Sequence, residues 1–414
     1  MNNQVPYQFD TEFLSEAIFH QLNQGDLFFS KLMQSLLKSV REQLHMEVAF
    51  VSEFTEGRRV FKFIDSAQKD AIISVGNSDP LDESYCQRIV DGSLPELIPD
   101  ACQNQEACKL DVTQVLPVGA HVSVPLKFSD GEVYGTFCAF SRLPSFTLNA
   151  RDLALMRVFA SIAAAALEEN RGEQAVFNRR KNYYESLMVN NHFVYYMQPI
   201  VNINNESVVG HELLLRIKGD DSQSPQFFLT EIDMLGLSTA LNISLFSQVL
   251  DILKAVPSNQ FLTWNLAPSV ILDHEFFQCF YGQDLSQLVI EITEHAVIEN
   301  YVSLNDRLNI LRQSGAKVAI DDAGAGYASL RHILQLKPDF IKLDHSLIHN
   351  IHREPELQAL AESLVSFAEK SNAKLIAEGV EVEEEHQALQ LLSFELGQGF
   401  YFARPAPDFM EMTA

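Results

Sequence analysis

The sequence predicts an α+β domain joined by a helix to an α/β TIM-like (β/α)8 barrel. Three observations support this prediction. The chain has 414 residues, too many for one ordinary domain of roughly 100–200 residues. Strand-like runs in the first part follow one another in a hairpin pattern, whereas those in the second part alternate with helical patterns. We place the first domain with an N-terminal helix at 1–168, a helical linker at 169–189 and the barrel at 190–414.

Charge and composition exclude several classes of protein. The net charge is −25, which disfavours general binding to nucleic acid polymers and docking on anionic membranes. A hydrophobic content of 47% is that of a globular protein. The N-terminus lacks a signal pattern, and the longest small-apolar run, 162–167, is far too short to span a membrane. With five cysteines in no metal-ligand or redox spacing, we expect a cytoplasmic protein.

The first domain begins with a helix and continues as a meander of strands. Apolar spacing predicts a helix over Phe13–Leu44. Strand-like runs follow at Glu47–Phe54, Arg59–Ile64, Ala71–Val75, Ala120–Phe128 and Val133–Phe140. Asp130-Gly131 between the last two runs is a strong hairpin signal. The polar segment Ser78–Leu116 is expected to form loops. These elements predict an antiparallel sheet with helices on one face.

A helix is predicted to join the two domains. It covers Asn149–Leu167, with Thr147 as its cap, and the pattern continues without proline to Tyr183. Two interpretations stay open. The apolar positions form a dimer seam that couples the domains, or they pack on the sheet of their own domain.

The second domain alternates strands and helices. Strand-like runs occur at Phe193–Gln198, Val208–Arg216, Phe261–Leu266, Leu288–Thr293, Lys317–Asp321, Phe340–Leu343, Lys374–Ala377 and Gln398–Phe402. Helical patterns occupy Gln226–Ala255, Ala296–Ser314, Glu354–Ser371 and Val382–Ser393. Eight strands in roughly 220 residues fit a (β/α)8 barrel, which commonly needs about 250. A doubly wound open sheet is the alternative.

Polar residues collect near the ends of the predicted barrel strands, where such barrels build active sites. They are Glu212, Arg216, Asn265, Glu291, Glu294, Asp321, Asp322, Lys342, Asp344, Glu378 and Gln398, which opens the last predicted strand. Taken alone, each of these residues could equally be a solvated or salt-bridged residue without a functional role. Together, the carboxylates repel one another and require cations, and oxygen ligands favour Mg²⁺ or Mn²⁺. A two-metal centre suits phosphoryl displacement, with Lys342 positioning the water or offsetting charge.

Ordered motifs give these residues a family resemblance. They are Gln198-Pro199-Ile200, Glu212-Leu213-Leu214-Leu215-Arg216, Trp264-Asn265-Leu266, Glu291-Ile292-Thr293-Glu294, the run from Asp321-Asp322 to Tyr327, Ile341-Lys342-Leu343-Asp344, Ala377-Glu378-Gly379-Val380-Glu381, and Gln398-Gly399-Phe400 with Arg404-Pro405. Residues 190–410 thereby resemble the EAL-domain family of cyclic di-GMP phosphodiesterases. The resemblance implies hydrolysis of cyclic di-GMP to linear pGpG with two Mg²⁺ or Mn²⁺ ions per site.

The resemblance also implies a role for each motif residue. Glu212, Asn265, Glu291 and Asp321 are the expected core metal ligands. Asp322 and Glu378 would complete the second metal or water site, and Lys342 and Glu378 would act on the water. The expected substrate contacts are Gln198, Arg216, Asp344, Gln398 and Pro405, and Glu294 is expected to stabilise the lid loop after the fifth strand. A homodimer is expected from the family.

The sequence departs from the family mainly in the lid. Leu213 stands where the family has Ala, Ala323, Ala325 and Ala328 replace Phe, Thr and Ser, and His295 replaces Ser. None of these positions supplies a carboxylate. The departures leave open an alternative function, a non-catalytic EAL-like module that binds cyclic di-GMP or a partner. An unrelated divalent-metal barrel enzyme would require the motif order to be a coincidence.

The first part resembles a GAF sensor domain over roughly 25–168. The supporting strings are Asp82-Glu83-Ser84-Tyr85-Cys86, Leu97-Ile98-Pro99-Asp100-Ala101, Val122-Ser123-Val124-Pro125-Leu126 and Asp130-Gly131-Glu132-Val133-Tyr134-Gly135-Thr136. We do not expect a chromophore on Cys86, since Gln87 rather than His follows it. Tyr85, Asp100 and His121 either line a small-molecule pocket or satisfy internal hydrogen bonds, and we favour the second. The GAF ligand stays unidentified, and regulation of the barrel by this domain is an expectation.

Overall fold

The structure, a computed structural model, describes residues 28–68, 73–219, 224–293, 296–324 and 327–409. The chain divides into two compact units, Met1–Arg179 and Arg180–Ala414. In the described residues, no helix is long and apolar enough to cross a membrane.

The first unit is built on a six-stranded antiparallel sheet. Its strands are β1 Val48–Thr55, β2 Arg58–Ser66, β3 Ser78–Pro80, β4 Leu97–Ile98, β5 Ala120–Lys127 and β6 Val133–Ser141. They lie in the order β3-β2-β1-β6-β5-β4. The helices are α1, described over 28–43, α2 Tyr85–Val90, α3 Asp111–Val115 and α4 Ala150–Val189, which continues into the second unit. The predicted hairpin is confirmed, because β5 and β6 pair from Ala120–Ser141 to Lys127–Val133.

Both faces of this sheet are buried. Ala49 and Val51 of β1 pack with α1 and α4, and Val48 and Phe50, which point the other way, pack with α2. The predicted placement of helices on one face is right for α1 and α4 but wrong for the domain as a whole. Residues 13–27 of the predicted helix Phe13–Leu44 lie outside the described residues. The segment Ser78–Leu116 is not all loop, since it contains α2 and α3 and covers the opposite face.

Two local predictions in this unit are wrong. Residues 73–75 of the predicted strand Ala71–Val75 form a bend and turn, and the edge strand is instead Ser78–Pro80. The cap of α4 is Asn149, not Thr147, because Asn149 Oδ1 accepts from the Arg151 amide at 2.9 Å while Asp152 accepts from the Asn149 amide. The two bonds are reciprocal, as in a capping box, but the Asn149 side chain accepts from the second helical residue and not from the third.

The helix that was predicted to join the domains is continuous. It runs through 169–189 as part of α4. Met156, Ala160, Ala163 and Leu167 pack into the core of the first unit. The interpretation that these positions pack on their own sheet is therefore supported, and a dimer seam stays a proposal.

The second unit contains a closed barrel of eight strands. The strands are β7 Phe193–Asn202, β8 Val208–Ile217, β9 Phe261–Asn265, β10 Leu288–Thr293, β11 Lys317–Ala323, β12 Phe340–Leu343, β13 Lys374–Ala377 and β14 Leu396–Gly397. The helices are α5 Pro225–Met234, α6 Ser238–Ala255, α7 Pro268–Leu272, α8 His274–Gln278, α9 Tyr301–Gln313, α10 Tyr327–Leu336, α11 His345–Ile348, α12 Pro355–Ser371 and α13 Glu383–Leu391.

The barrel prediction is confirmed, with the first strand reversed. β7 is antiparallel to both β8 and β14, while the other neighbouring strands are parallel. Residues 203–207 alone connect β7 to β8, and a parallel connection requires a crossover of a dozen or more residues. The short connection therefore forces a hairpin.

Several boundaries in the barrel differ from those predicted. The expected helix Gln226–Ala255 is two helices, broken at Gly236, whose φ is +67°. The helix predicted over Ala296–Ser314 starts at Tyr301. The last strand is Leu396–Gly397, so Gln398 follows it instead of opening it, and residues 399–402 of the predicted strand form bends and turns.

Candidate active site

Strand alternation places a polar layer directly above an apolar layer inside the barrel. Ile200, Val289, Ala319, Phe340, Ile376 and Leu396 form the apolar cluster. Two residues further along five strands lie polar side chains, namely Glu291, Asp321, Lys342, Glu378 and Gln398. In the reversed strand β7 the polar residue, Gln198, comes two residues before Ile200 instead. Because side chains two apart share a face, all six polar groups are expected at the same level.

Lys342 is the centre of this polar layer. Its side chain is fully buried, and its Nζ lies 2.7 Å from Glu378 Oε1 and 2.9 Å from Asp321 Oδ1. The same atom lies 3.1 Å from Glu291 Oε1 and 3.4 Å from Glu212 Oε1. One ammonium thus faces four carboxylates, and the cluster carries a formal excess of negative charge.

Burial and charge act in opposite directions on these groups. Burial disfavours the charged ammonium, but the surrounding carboxylates outweigh it and raise the pKa of Lys342 above its usual value. For Glu291 and Glu378, burial is the largest cause and the neighbouring carboxylates add to it, so their pKa values are raised despite Lys342. Lys342 therefore stays protonated, while the carboxylates gain from any additional cation.

Amide side chains hold Glu212 from two sides. Asn265 Nδ2 donates to Glu212 Oε1 at 3.1 Å, and Gln398 Nε2 donates to Glu212 Oε2 at 2.6 Å. Gln398 also donates to Gln198 Oε1 at 3.1 Å, and Gln198 donates to the carbonyl of Ala403 at 3.1 Å. The Glu212 carboxylate is therefore fixed in orientation, as a ligand or catalytic group requires.

The donor set fits divalent cations that prefer oxygen. Two groups bring potential ligand atoms within 4.8 Å of one another, Glu212 with Glu291 and Asp321, and Asp321 with Asp322 and Glu378. The buried atom Glu291 Oε2 has no hydrogen-bond partner among the described residues. An unsatisfied buried carboxylate oxygen is costly unless a cation neutralises it. The two groups share Asp321, so two ions held there would be neighbours.

The segment after Asp321 has an unusual backbone. Asp322 has a φ of +56°, a left-handed conformation that costs most residues energy and that Asp and Asn tolerate best. Strain of this kind is typically stored at functional sites. It turns Asp322 out of the regular strand alternation and to the cavity that Glu378 also lines.

A cavity of about 320 Å³ opens beside this polar layer. Of the sequence-predicted residues it is lined by Gln198, Glu212, Asp322, Asp344, Glu378 and Gln398. Glu291, Asp321 and Lys342 are buried and do not line the cavity, but Lys342 contacts the lining residues Glu212 and Glu378. Asn265 is likewise outside the lining and donates to Glu212. Arg216 lies on the same face of β8 as Glu212 but further along the strand and, like Pro405, outside the lining. Glu294 lies outside the described residues.

Another cavity of the second unit, about 580 Å³, lies away from this chemistry. Asp251 and Asp408 are the acidic residues of its lining. The concentration of carboxylates around Lys342 therefore distinguishes the smaller cavity.

The GAF-like core holds Tyr85 and His121 in structural contacts. Tyr85 Oη lies 2.7 Å from Thr113 Oγ1, and the rings of Tyr85 and His121 are 4.7 Å apart. Both line a cavity of about 10 Å³, about the size of one water. Asp100 caps a short helical turn through the Cys102 amide. Cys86 is fully buried, with its Sγ 3.4 Å from Arg59 Nη1 and 3.7 Å from Cys138 Sγ.

Three residues at the cavity rim were missed from the sequence. His345, His349 and Glu381 bring potential ligand atoms within 4.8 Å of one another, and His345 and Glu381 line the cavity. The spacing of four between the histidines, which puts both on one face of a helical segment, was a detectable signal. Their proximity to Glu381 depends on the tertiary fold.

Comparison with known proteins identifies the family. Residues 180–405, more than half of the chain, match the EAL domain model. The chain belongs to the EAL domain family. Residues 27–168 match the GAF domain model, so a GAF domain precedes the EAL domain. The resemblance drawn from the motifs is confirmed for both parts.

Relatives of this EAL domain include proteins named as phosphodiesterases. The probable cyclic di-GMP phosphodiesterase PdeG of Escherichia coli is 32% identical over 229 residues, covering 52% of this chain and 45% of PdeG. The cyclic di-GMP phosphodiesterase RocR of Pseudomonas aeruginosa is 30% identical over 232 residues, covering 53% of this chain and 59% of RocR. The chain thus spans about half the length of these relatives.

Solved structures share the fold. The EAL enzyme Bd1971, with cAMP and cyclic di-GMP bound, is 19% identical with a TM-score of 0.54, covering 87% of this chain and 91% of Bd1971. The FimX EAL domain of Xanthomonas citri, in complex with cyclic di-GMP, is 18% identical with a TM-score of 0.52, covering 58% of this chain and 99% of that domain. At these identities the likeness establishes the fold alone.

Proposed function

We propose that the EAL domain of this chain hydrolyses one phosphodiester bond of cyclic di-GMP to give linear pGpG, with two Mg²⁺ or Mn²⁺ ions. The observation that carries the proposal is the set of four carboxylates around Lys342, at the floor of a cavity. The relatives named cyclic di-GMP phosphodiesterases point to the substrate.

The proposed metal ligands follow from the two acidic groups. Glu212, Glu291 and Asp321, with the amide oxygen of Asn265, would hold one ion, and Asp321, Asp322 and Glu378 the other. Ions at such sites lower the pKa of a bound water and neutralise charge on the phosphate oxygens. All of these ligands are oxygen atoms, which suits Mg²⁺ and Mn²⁺.

Protein groups then orient and deprotonate the water. The water oxygen attacks phosphorus, one P–O bond to a ribose oxygen breaks, and the leaving oxygen ends as a hydroxyl. Lys342, held protonated by its neighbours, donates a hydrogen bond and offsets charge, so it is not the base. Glu378 accepts the proton from the water, because it lies 2.7 Å from Lys342 and lines the cavity.

Substrate contacts are proposed for the remaining predicted residues. Gln198, Asp344 and Gln398 line the cavity and offer amide and carboxylate groups to the nucleotide. Arg216 lies on the same face of β8 as Glu212, four residues further along the strand. From this position it would pair with a phosphate of the substrate. Pro405 belongs to the closing segment, whose next residue, Ala406, bridges to Met197 of β7. Glu294 is proposed to stabilise the lid loop.

We test the function by separating nucleotides after incubating the full chain with cyclic di-GMP. With Mg²⁺ or Mn²⁺ present we expect pGpG, and with EDTA no product. Glu383→Gln, which changes an exposed acidic residue of α13, is a matched control and should turn over normally. Binding of cyclic di-GMP without product, with either metal and across protein concentrations, would favour the non-catalytic module.

Regulation and assembly are proposed from the membership of the two domains in the GAF and EAL families. The GAF domain would control the EAL domain through a small molecule whose identity is open, in a cytoplasmic homodimer. Sedimentation of the full chain tests the dimer. We expect a mass near twice the chain mass of 46.7 kDa.

A further inference from the structure

We propose that His345, His349 and Glu381 form a separate site for a transition-metal dication, with Zn²⁺ as the best match, on the rim of the EAL cavity. Two imidazoles and one carboxylate are a zinc ligand set, and they differ from the all-oxygen set around Lys342. The inference concerns metal binding and does not depend on the proposed hydrolysis.

The three side chains come from two segments that follow neighbouring strands. His345 and His349 belong to α11 and its end, after β12. Glu381 follows β13, which pairs with β12. All three side chains are exposed, and their potential ligand atoms lie within 4.8 Å of one another. Zinc bonds of about 2.0–2.1 Å put the ligand atoms of a tetrahedral site about 3.3 Å apart, so modest side-chain rotations close the site.

A buried carboxylate links the two segments. Glu385, 1% exposed, accepts from the amide of Asn350 at 2.9 Å and from that of Glu381 at 3.0 Å. It therefore ties the backbone beside His349 to the backbone of Glu381. This arrangement brings the proposed ligands together before any metal binds, which lowers the ordering cost of binding.

The same carboxylate lies close to one imidazole. Glu385 Oε1 lies 3.5 Å from His349 Nδ1. A histidine that ligates a metal commonly donates its other ring N–H to a carboxylate, which fixes its tautomer. Nδ1 is the ring nitrogen beside Glu385, so we assign Nε2 of His349 to the metal. This pairing is an observation independent of the cluster itself.

The backbone also makes room for the other imidazole. Gly379 has a φ of +69°, and a Cβ there would lie 2.4 Å from His345 Cδ2. A side chain at 379 would therefore displace the His345 ring. The rings of His345 and His349 are stacked, with centroids 5.0 Å apart and planes 21° from parallel, so both lie on the same side of α11.

A dication at this site would lie beside the catalytic cavity. His345 and Glu381 line that cavity together with Asp344 and Glu378. Three protein ligands leave a fourth position for water or for an anion. Occupancy would add positive charge at the mouth without using any carboxylate that contacts Lys342.

The experiment is a metal titration of the full chain in saturating Mg²⁺, by calorimetry with Zn²⁺ and by visible absorption with Co²⁺. We expect the double variant His345→Gln/His349→Gln to lose one equivalent of Zn²⁺ and the cobalt absorption of a nitrogen-containing tetrahedral site. His274→Gln, which alters an exposed histidine elsewhere, should change neither.

The positioning role of Glu385 has its own variant. Glu385→Gln should weaken Zn²⁺ binding by about 10–100-fold, the usual effect of removing a partner of a ligating histidine. Equal stoichiometry and equal cobalt absorption in wild type and double variant would overturn the proposal. Loss of zinc with unchanged far-UV circular dichroism supports it, because this loss cannot come from unfolding.

Discussion

Lys342 and Lys374 form ion pairs of the same length in opposite environments. Lys342 Nζ lies 2.7 Å from Glu378 with its side chain 1% exposed, and Lys374 Nζ lies 2.7 Å from Glu395 with its side chain 57% exposed. A buried charge left without its partner costs far more than a surface one. The two lysines thus separate the effect of burial from that of distance.

We predict that Lys342→Met lowers the free energy of unfolding in EDTA by about 3–5 kcal/mol. Lys374→Met should lower it by less than about 1 kcal/mol. Urea unfolding followed by fluorescence of Trp264, the one tryptophan of the chain and buried in the barrel, measures both. Equal losses in the two variants would contradict the central role of Lys342.

Asp322 combines a carboxylate with a left-handed backbone. We predict that Asp322→Asn, which tolerates that backbone, keeps the free energy of unfolding within about 0.5 kcal/mol while turnover falls at least tenfold. Asp322→Val should in addition lose about 1–2 kcal/mol of stability, because a β-branched side chain is penalised in the left-handed region that Asp and Asn tolerate. Unfolding and nucleotide assays on both variants separate charge from strain. Full activity in Asp322→Asn would remove Asp322 from the site.

How much of the site could be predicted from the sequence depended on whether each residue stood out from its neighbours in the chain. The carboxylates Glu291 and Asp321 were detectable because charge inside an apolar run requires a partner. Lys342 was detectable in the same way, but its contact with four carboxylates required the closed barrel. Glu385 gave no signal, since a glutamate in the first turn of a helix is ordinary and its burial depends on the packing of two segments.

At the scale of elements, periodicity predicted most strands and helices but not their ends. The hairpin β5–β6 followed from Asp130-Gly131, and α12 was predicted almost to the residue. β14 was misplaced because two residues are too few to show a period. The reversal of β7 was detectable from the sequence, because the nine residues between the two predicted strands, 199–207, are too few for a crossover.

The break between α5 and α6 gives a prediction for an element. Gly236 has a φ of +67°, and a Cβ there would meet nothing within 4 Å. Gly236→Ala should therefore cost about 1–2 kcal/mol through backbone strain alone. Gly236→Asn should cost less, because Asn tolerates the left-handed region. Trp264 fluorescence during urea unfolding measures both, and equal stability of Gly236→Ala and wild type would show that the break does not need this conformation.

At the scale of the whole molecule, charge is unevenly distributed. Residues 181–414 carry a net charge of −17, against −8 for residues 1–180. Part of that excess is the set of carboxylates beneath the cavity. Under the proposed function, cations at this point would let an acidic protein accept a small anionic nucleotide, while the rest of its surface would repel nucleic acid polymers.

We predict that Mn²⁺ at 100 times its dissociation constant stabilises the barrel by about 2.7 kcal/mol. The barrel transition is followed by Trp264 fluorescence, with monovalent salt of equal ionic strength as the control for screening. Glu291→Gln should reduce the gain, because it removes a fully buried ligand. A gain that monovalent salt reproduces would show general screening rather than a metal site.

The central claim, that the carboxylates around Lys342 hydrolyse cyclic di-GMP, is tested most directly by comparing kcat/KM of the full chain and Glu212→Gln in Mn²⁺. Glu212 is held by Asn265 and Gln398 and belongs to an acidic group that fits a metal. Losing several kcal/mol of charge stabilisation predicts a fall of about 1,000-fold. Equal rates in the two proteins, or no pGpG from either, would contradict the account.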